Sequence, residues 1–123
     1  TRILAVTVLT SMDERDLADV GAAGRVEDLV MRRAQLAMEA GCDGVVASPL
    51  EAAMLRKGAP RDFLIVTPGV RPAGGETGDQ KRVMTPVDAR RAGADLVVVG
   101  RPVRSAADPA AAARAIAAEL ATV

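Results

Sequence analysis

Four short apolar runs alternate with longer stretches of helical period. Ile3–Leu9, Gly44–Ala47, Phe63–Thr67 and Leu96–Val99 are the apolar runs, and LVVV-type segments are apolar at consecutive rather than alternate positions. Strands read that way when both faces are covered, as in a parallel sheet flanked by helices. Between the strands the period changes to 3.6. Over Arg25–Ala40, the residues Val26, Leu29, Val30, Ala34 and Ala37 fall on one stripe, and Gly41 stands where a glycine cap belongs. Ser11-Met12-Asp13-Glu14 has capping-box spacing and predicts a short helix with Ser11 as N-cap. Ser48-Pro49-Leu50-Glu51 repeats the box with Pro at the first helical position, for a helix ending near Lys57-Gly58. Thr85-Pro86-Val87-Asp88 opens another helix that Gly93 closes, and Asp108-Pro109 opens an Ala-rich helix running to about Ala121.

Strands alternating with helices through short connections make βαβ units with right-handed crossovers. Ala40–Pro49 (AGCDGVVASP) echoes Ala92–Pro102 (AGADLVVVGRP), and both read helix end, Gly, Asp, buried strand, Pro. The echo marks two equivalent joints. Asp43 and Asp95 precede their strands, at the rim away from the strand C-termini, and are expected to be structural. Two α/β architectures fit: a doubly wound open sheet, or four βα units forming half of an eight-stranded barrel. A whole barrel needs roughly 200 residues or more, and this chain has 123.

The longest aperiodic stretch is Val66–Arg82, VTPGVRPAGGETGDQKR. A loop of that length in a compact domain is usually functional or disordered. It carries Arg71 and Gln80 among glycines and prolines. The next strand ends in Val99-Gly100-Arg101-Pro102. Gly100, without a Cβ, lets backbone N–H groups approach an anion closely, and Arg101 can fork onto two oxygens. Taken singly, Gly100 reads equally as a tight turn and either arginine as a surface cation. Two successive strand ends that each carry Gly and Arg point instead to one phosphate held between them. That favours the barrel, where loops after strands seven and eight often form a phosphate site. The four strands would then correspond to strands five to eight. Thr10 and Ser11 end the first strand on the same rim, where their hydroxyls can bond a polar ring or a phosphate. Ser11, like Ser48, is also a candidate N-cap. Lys81 and Arg82 are expected to face solvent.

Composition removes several classes of function. The chain has one Phe and no Tyr or Trp, so it offers no base-stacking platform for nucleic acid. Sixteen bases balance sixteen acids, so no global field draws it to nucleic acid or membrane. There is no histidine and a single cysteine, Cys42, which excludes an internal disulfide, a Ser-His-Asp triad and a zinc site within the chain. Cys42, just before a strand, is expected to be a small buried residue. No signal peptide or transmembrane pattern is present, and a cytoplasmic protein is expected. The chain runs from Thr1 directly into a strand, which reads as a piece of something longer.

LTSM (Leu9–Met12), GVVASPLEA (Gly44–Ala52), VTPGVRPAGGETGDQKRVMTP (Val66–Pro86) and GADLVVVGRPV (Gly93–Val103) together resemble bacterial orotidine 5'-phosphate decarboxylase. The resemblance implies a βα barrel converting orotidine 5'-monophosphate to uridine 5'-monophosphate and carbon dioxide, without metal or organic cofactor. It implies that Thr10 and Ser11 lie near the pyrimidine. It also implies that Arg71, Gln80, Gly100 and Arg101 grip the 5'-phosphate, with residues between Arg71 and Gln80 closing over the site. One departure matters. The family's chemistry rests on a D-x-K-x-x-D motif, whose lysine protonates the carbon as carbon dioxide leaves. This chain has only Lys57 and Lys81; Asp79-Gln80-Lys81 begins a match, but Met84 stands where the second Asp belongs. No catalytic residue is therefore expected in the chain. The resemblance covers a C-terminal half-barrel that supplies phosphate binding. Half a barrel exposes sheet edges and an apolar inner face, so two copies are expected to close a full barrel as a homodimer. An N-terminal half-barrel would be the other partner. The rival readings are a non-catalytic phosphate-binding assembly module, such as an engineered half barrel, or part of a hexulose-phosphate or thiamine-phosphate synthase barrel.

Overall fold

The computed structural model describes residues 1–71 and 84–123. Four strands, β1 (Leu4–Val6), β2 (Gly44–Val46), β3 (Leu64–Thr67) and β4 (Leu96–Val97), form one parallel sheet in the order β1-β2-β3-β4. Sequence neighbours are thus spatial neighbours throughout, as in a barrel and unlike a doubly wound sheet, whose order reverses at a switch point. Helices α1 (Glu14–Asp19) and α2 (Val26–Glu39) follow β1. A 3-10 turn (Pro49–Glu51) and α3 (Ala52–Gly58) follow β2, α4 (Pro86–Arg91) precedes β4, and α5 (Arg101–Arg104) and α6 (Pro109–Leu120) follow it.

Register explains the two faces. Ala5, Val45 and Ile65 pair across three strands and point toward the helices. There Val45 and Ile65 are fully buried with Val30 and Ala34 of α2 and Leu55 of α3. The next row, Val6, Val46, Val66 and Leu96, points the other way. On that face Val6 is 56% exposed, Leu96 55% and Val98 50%. Coverage on both faces, expected from the consecutive apolar positions, is complete only toward the helices; on the other face Val66 in the middle is buried, and the outer strands are open. The sequence is written for a sheet that is buried twice, and this chain supplies one of the two covers. Gly44 lies on the open face. A Cβ there would meet the Leu64 carbonyl oxygen at 2.3 Å and Leu4 Cδ2 at 2.9 Å, so only glycine lets Leu4 and Leu64 close over it.

The helix punctuation follows the sequence in most places. Ser48 and Glu51 form the predicted capping box, Thr85 caps α4, and Asp108 caps α6. Ser11 does not cap α1. Asp13 does, accepting from the N–H groups of Arg15 and Asp16, while Asp16 accepts from Asp13 N–H at 2.8 Å. A carboxylate with a reciprocating partner displaces a hydroxyl two residues upstream. The outer strands are shorter than predicted, because β1 and β4 each have one hydrogen-bonding neighbour in the sheet. Cys42 is half-buried, packing at the margin of the core. The expected burial fails because it precedes β2 at the rim, outside the ladder.

The two aspartates of the internal echo form identical brackets. Asp43 N–H donates to Ile3 O and Asp43 Oδ2 accepts from Ile3 N–H. Asp95 does the same with Ile65. Arg56 reinforces the second bracket by pairing with Asp95 and donating to the Gly93, Pro60 and Phe63 carbonyls. This rim is structural, as expected, and the strand C-termini remain for chemistry.

Candidate functional site

β3 ends in Pro68-Gly69, and Gly69 has φ 76°, a conformation that strains any L-residue. That turn carries the chain into Val70, which is fully buried beside Ala89 and Ala94. Val70 makes a parallel bridge to Met84, and Arg71 N–H donates to Met84 O at 3.0 Å. The backbone of Val70 and the N–H of Arg71 are therefore fixed. Its guanidinium donates to Val70 O at 2.8 Å through Nη1.

β4 leads through Val98 and Val99 to Gly100. Arg101 opens α5, a single turn that sequence reading did not foresee, with Arg104 N–H on Gly100 O at 3.0 Å. Among the described residues no atom lies within 4 Å of where a Gly100 Cβ would stand. Because β3 and β4 are hydrogen-bonded neighbours, their two ends converge. Pro68, Gly69, Arg71, Val98, Gly100, Arg101 and Arg104 line one open cleft of about 510 Å³. Among the described residues its lining holds three arginines and no carboxylate. Like charges lining one cleft repel, and an anion bound among them lowers that repulsion.

Arg71, Gly100 and Arg101, predicted as a group, thus meet. Thr10 and Ser11 do not join them. They form a turn after β1, at the far edge of the sheet, with Thr10 buried and Ser11 half-buried. They share the rim with the arginine cleft, as a ligand extended across the strand ends would require. Gln80, with Lys81 and Arg82, lies outside the described residues. Arg104 is the residue that sequence reasoning missed. Its only signal was the R-x-x-R spacing from Arg101, which puts both side chains on one helix face. Lys57 lies in the last turn of α3, toward the opposite rim, and is exposed. A second cleft, of about 380 Å³, is lined by Asp13, Glu14, Glu27 and Glu51 with one cation, Arg15, and its acidic excess makes it unsuited to an anion. Among the described residues no cluster of metal-ligating side chains occurs. Nor is any helix there long and apolar enough to cross a membrane.

Residues 1–116 match the model of the Orotidine 5'-phosphate decarboxylase / HUMPS family. The chain is 62% identical over 120 residues to an orotidine 5'-phosphate decarboxylase of Methylobacterium radiotolerans, covering 98% of this chain and 52% of that protein. It superimposes on the crystal structure of orotidine 5'-phosphate decarboxylase from Lactobacillus acidophilus with a TM-score of 0.81 at 39% identity, covering 97% of this chain and 49% of that one. The corresponding enzyme of Pyrococcus horikoshii gives a TM-score of 0.65 at 27% identity, over 98% of this chain and 50% of that one. The chain spans about half the length of the curated relatives it matches, and its four-stranded sheet is half of their barrel.

Proposed function

The chain belongs to the orotidine 5'-phosphate decarboxylase / HUMPS family, and from that premise we propose that it is the C-terminal, phosphate-gripping half of a decarboxylase barrel. The whole barrel converts orotidine 5'-monophosphate to uridine 5'-monophosphate and carbon dioxide, a step of pyrimidine biosynthesis carried out in the cytoplasm. Residues 1–123 form one half-barrel domain with strands equivalent to five through eight. The observation that carries this reading is the convergence of Arg71 and Arg101, with Gly69 and Gly100, on one cleft at adjacent strand ends.

In this reading Arg71, Arg101, the Gly100 backbone and Gln80 bind the 5'-phosphate, and Thr10 and Ser11 meet the pyrimidine. The phosphate takes no part in bond breaking. Its binding energy holds the ring where the chemistry occurs, so a remote grip is expressed as rate. Proton delivery belongs to a lysine outside this chain. Lys57 points to the wrong rim, and Lys81 falls in the phosphate loop of the sequence. No metal or organic cofactor is required. The chain alone is therefore expected to bind inorganic phosphate or uridine 5'-monophosphate without decarboxylating the substrate. Adding the complementary N-terminal half-barrel is expected to restore turnover. Turnover by the chain alone, or binding of neither ligand, would refute the assignment.

The exposed inner row supports a second element of the proposal. Val6, Leu96 and Val98 are each at least half exposed, and apolar area contributes about 25 cal/mol per Å² when covered. In the absence of the other half, a second copy closes an eight-stranded barrel as a two-fold dimer carrying two phosphate sites. Sedimentation at micromolar concentration tests this, with a monomer as the contradicting result.

A further inference from the structure

Arg104 lines the phosphate cleft together with Arg71 and Arg101. It is exposed, and its side chain makes no hydrogen bond or ion pair among the described residues. The single turn of α5 sets its position: Ser105 N–H bonds Arg101 O at 2.9 Å, and Arg104 N–H bonds Gly100 O at 3.0 Å. Residues three apart on a helix lie about 5–6 Å from each other at Cβ. A cation at residue 104 therefore stands beside whatever Arg101 holds. Among the described residues that line the cleft there is no carboxylate for Arg104 to pair with.

We infer that Arg104 is a third phosphate-directed cation of this cleft, acting with Arg101 on the same phosphoryl group, and that it makes the cleft prefer a dianion to a monoanion. The inference rests on the phosphate-site reading of the previous subsection. Its physical basis is that Coulomb energy scales with ligand charge. Removing one positive charge costs a dianion twice the energy that it costs a monoanion, so the fold-losses are related as a square.

The preference can be read with pH because the chain has no histidine. The charged groups of α6, which packs on α5, and of its N-cap are Arg114, Glu119 and Asp108. Asp108 is engaged in the cap of α6, on Ala111 N–H. Inorganic phosphate passes largely from monoanion to dianion between about pH 5.5 and about pH 7.5.

The test is calorimetric titration of the chain with inorganic phosphate at low ionic strength, where surface charge is least screened. Arg104→Gln is expected to weaken binding about tenfold near pH 7.5 and about threefold near pH 5.5. Arg104→Lys is expected to stay within about threefold of the parent, since it keeps the charge. Arg32→Gln, an exposed arginine on α2, serves as the charge control and is expected to change nothing. Unchanged affinity in Arg104→Gln, or an equal loss at both pH values, would overturn the inference. An Arg101→Ala arm separates the two levels. If Arg101→Ala weakens phosphate and Arg104→Gln does not, Arg104 alone is misassigned. If neither variant alters binding, the phosphate site itself is wrong.

Discussion

Replacing Gly44 with alanine tests the sheet register and the open inner face together. The added Cβ would lie 2.3 Å from the Leu64 carbonyl oxygen, 2.6 Å from Leu64 Cβ and 2.9 Å from Leu4 Cδ2. The first atom is backbone, and Leu64 is the residue paired with Gly44 across β2 and β3. Relief therefore demands a shift of the strand itself. Overpacking in a well-ordered core costs about 1–3 kcal/mol, and a backbone obstacle places this substitution at about 3 kcal/mol, the upper end. For a domain of this size that corresponds to a fall in Tm of about 10 °C. Gly58→Ala is the matched control. Its Cβ would meet only Met31 Cε at 3.4 Å, and alanine in a helix gains about 0.5–1 kcal/mol over glycine. Thermal and urea unfolding followed by circular dichroism reads both. A Gly44→Ala protein as stable as Gly58→Ala would mean that residue 44 does not face Leu4 and Leu64, and the assigned register would fall.

Further outcomes follow from other contacts. Asp13→Ala is expected to cost about 1 kcal/mol by removing the α1 cap, measured by urea unfolding, whereas Ser11→Ala should leave stability nearly unchanged. Arg56→Ala strips a partly buried partner from Asp95 and three carbonyls; at about 1.5–3 kcal/mol for a charged hydrogen-bonded group, a loss near 3 kcal/mol is expected by the same measurement. Leu96→Asp puts a charge in the open apolar row. It should shift a dimer to monomer in sedimentation while leaving the helix-facing core intact by circular dichroism.

Sequence reading recovered what is locally encoded. The caps at Ser48, Thr85 and Asp108 each bond an N–H within three residues, so their signals are complete in four positions. The paired echo around Asp43 and Asp95 was equally visible, because each aspartate closes one bracket with the preceding part of the sheet. At α1 the local signal misled: Ser11 fits a capping box in the sequence, but Asp13, with Asp16 reciprocating, caps the helix. Strand length at the edges was illegible because β1 and β4 each have one neighbour in the sheet, which no local pattern reveals. In the site, Arg71 and Arg101 were legible because glycine marks both strand ends. Arg104 carried no such mark, and its relevance depends on the one-turn helix that follows Gly100. The half-covered sheet depends on residues beyond any local window, since the open face differs from the closed one only in what lies opposite.

The most direct test is a double-mutant cycle on Arg71 and Arg101, read by titration with inorganic phosphate. If both guanidinium groups hold one anion, Arg71→Ala and Arg101→Ala each lose about tenfold or more in affinity, about 1.4 kcal/mol per decade. The double variant then loses less than the product of the two, because the second removal acts on a grip already broken. Two independent losses that multiply, or no loss in either variant, would contradict a shared phosphate at the ends of β3 and β4.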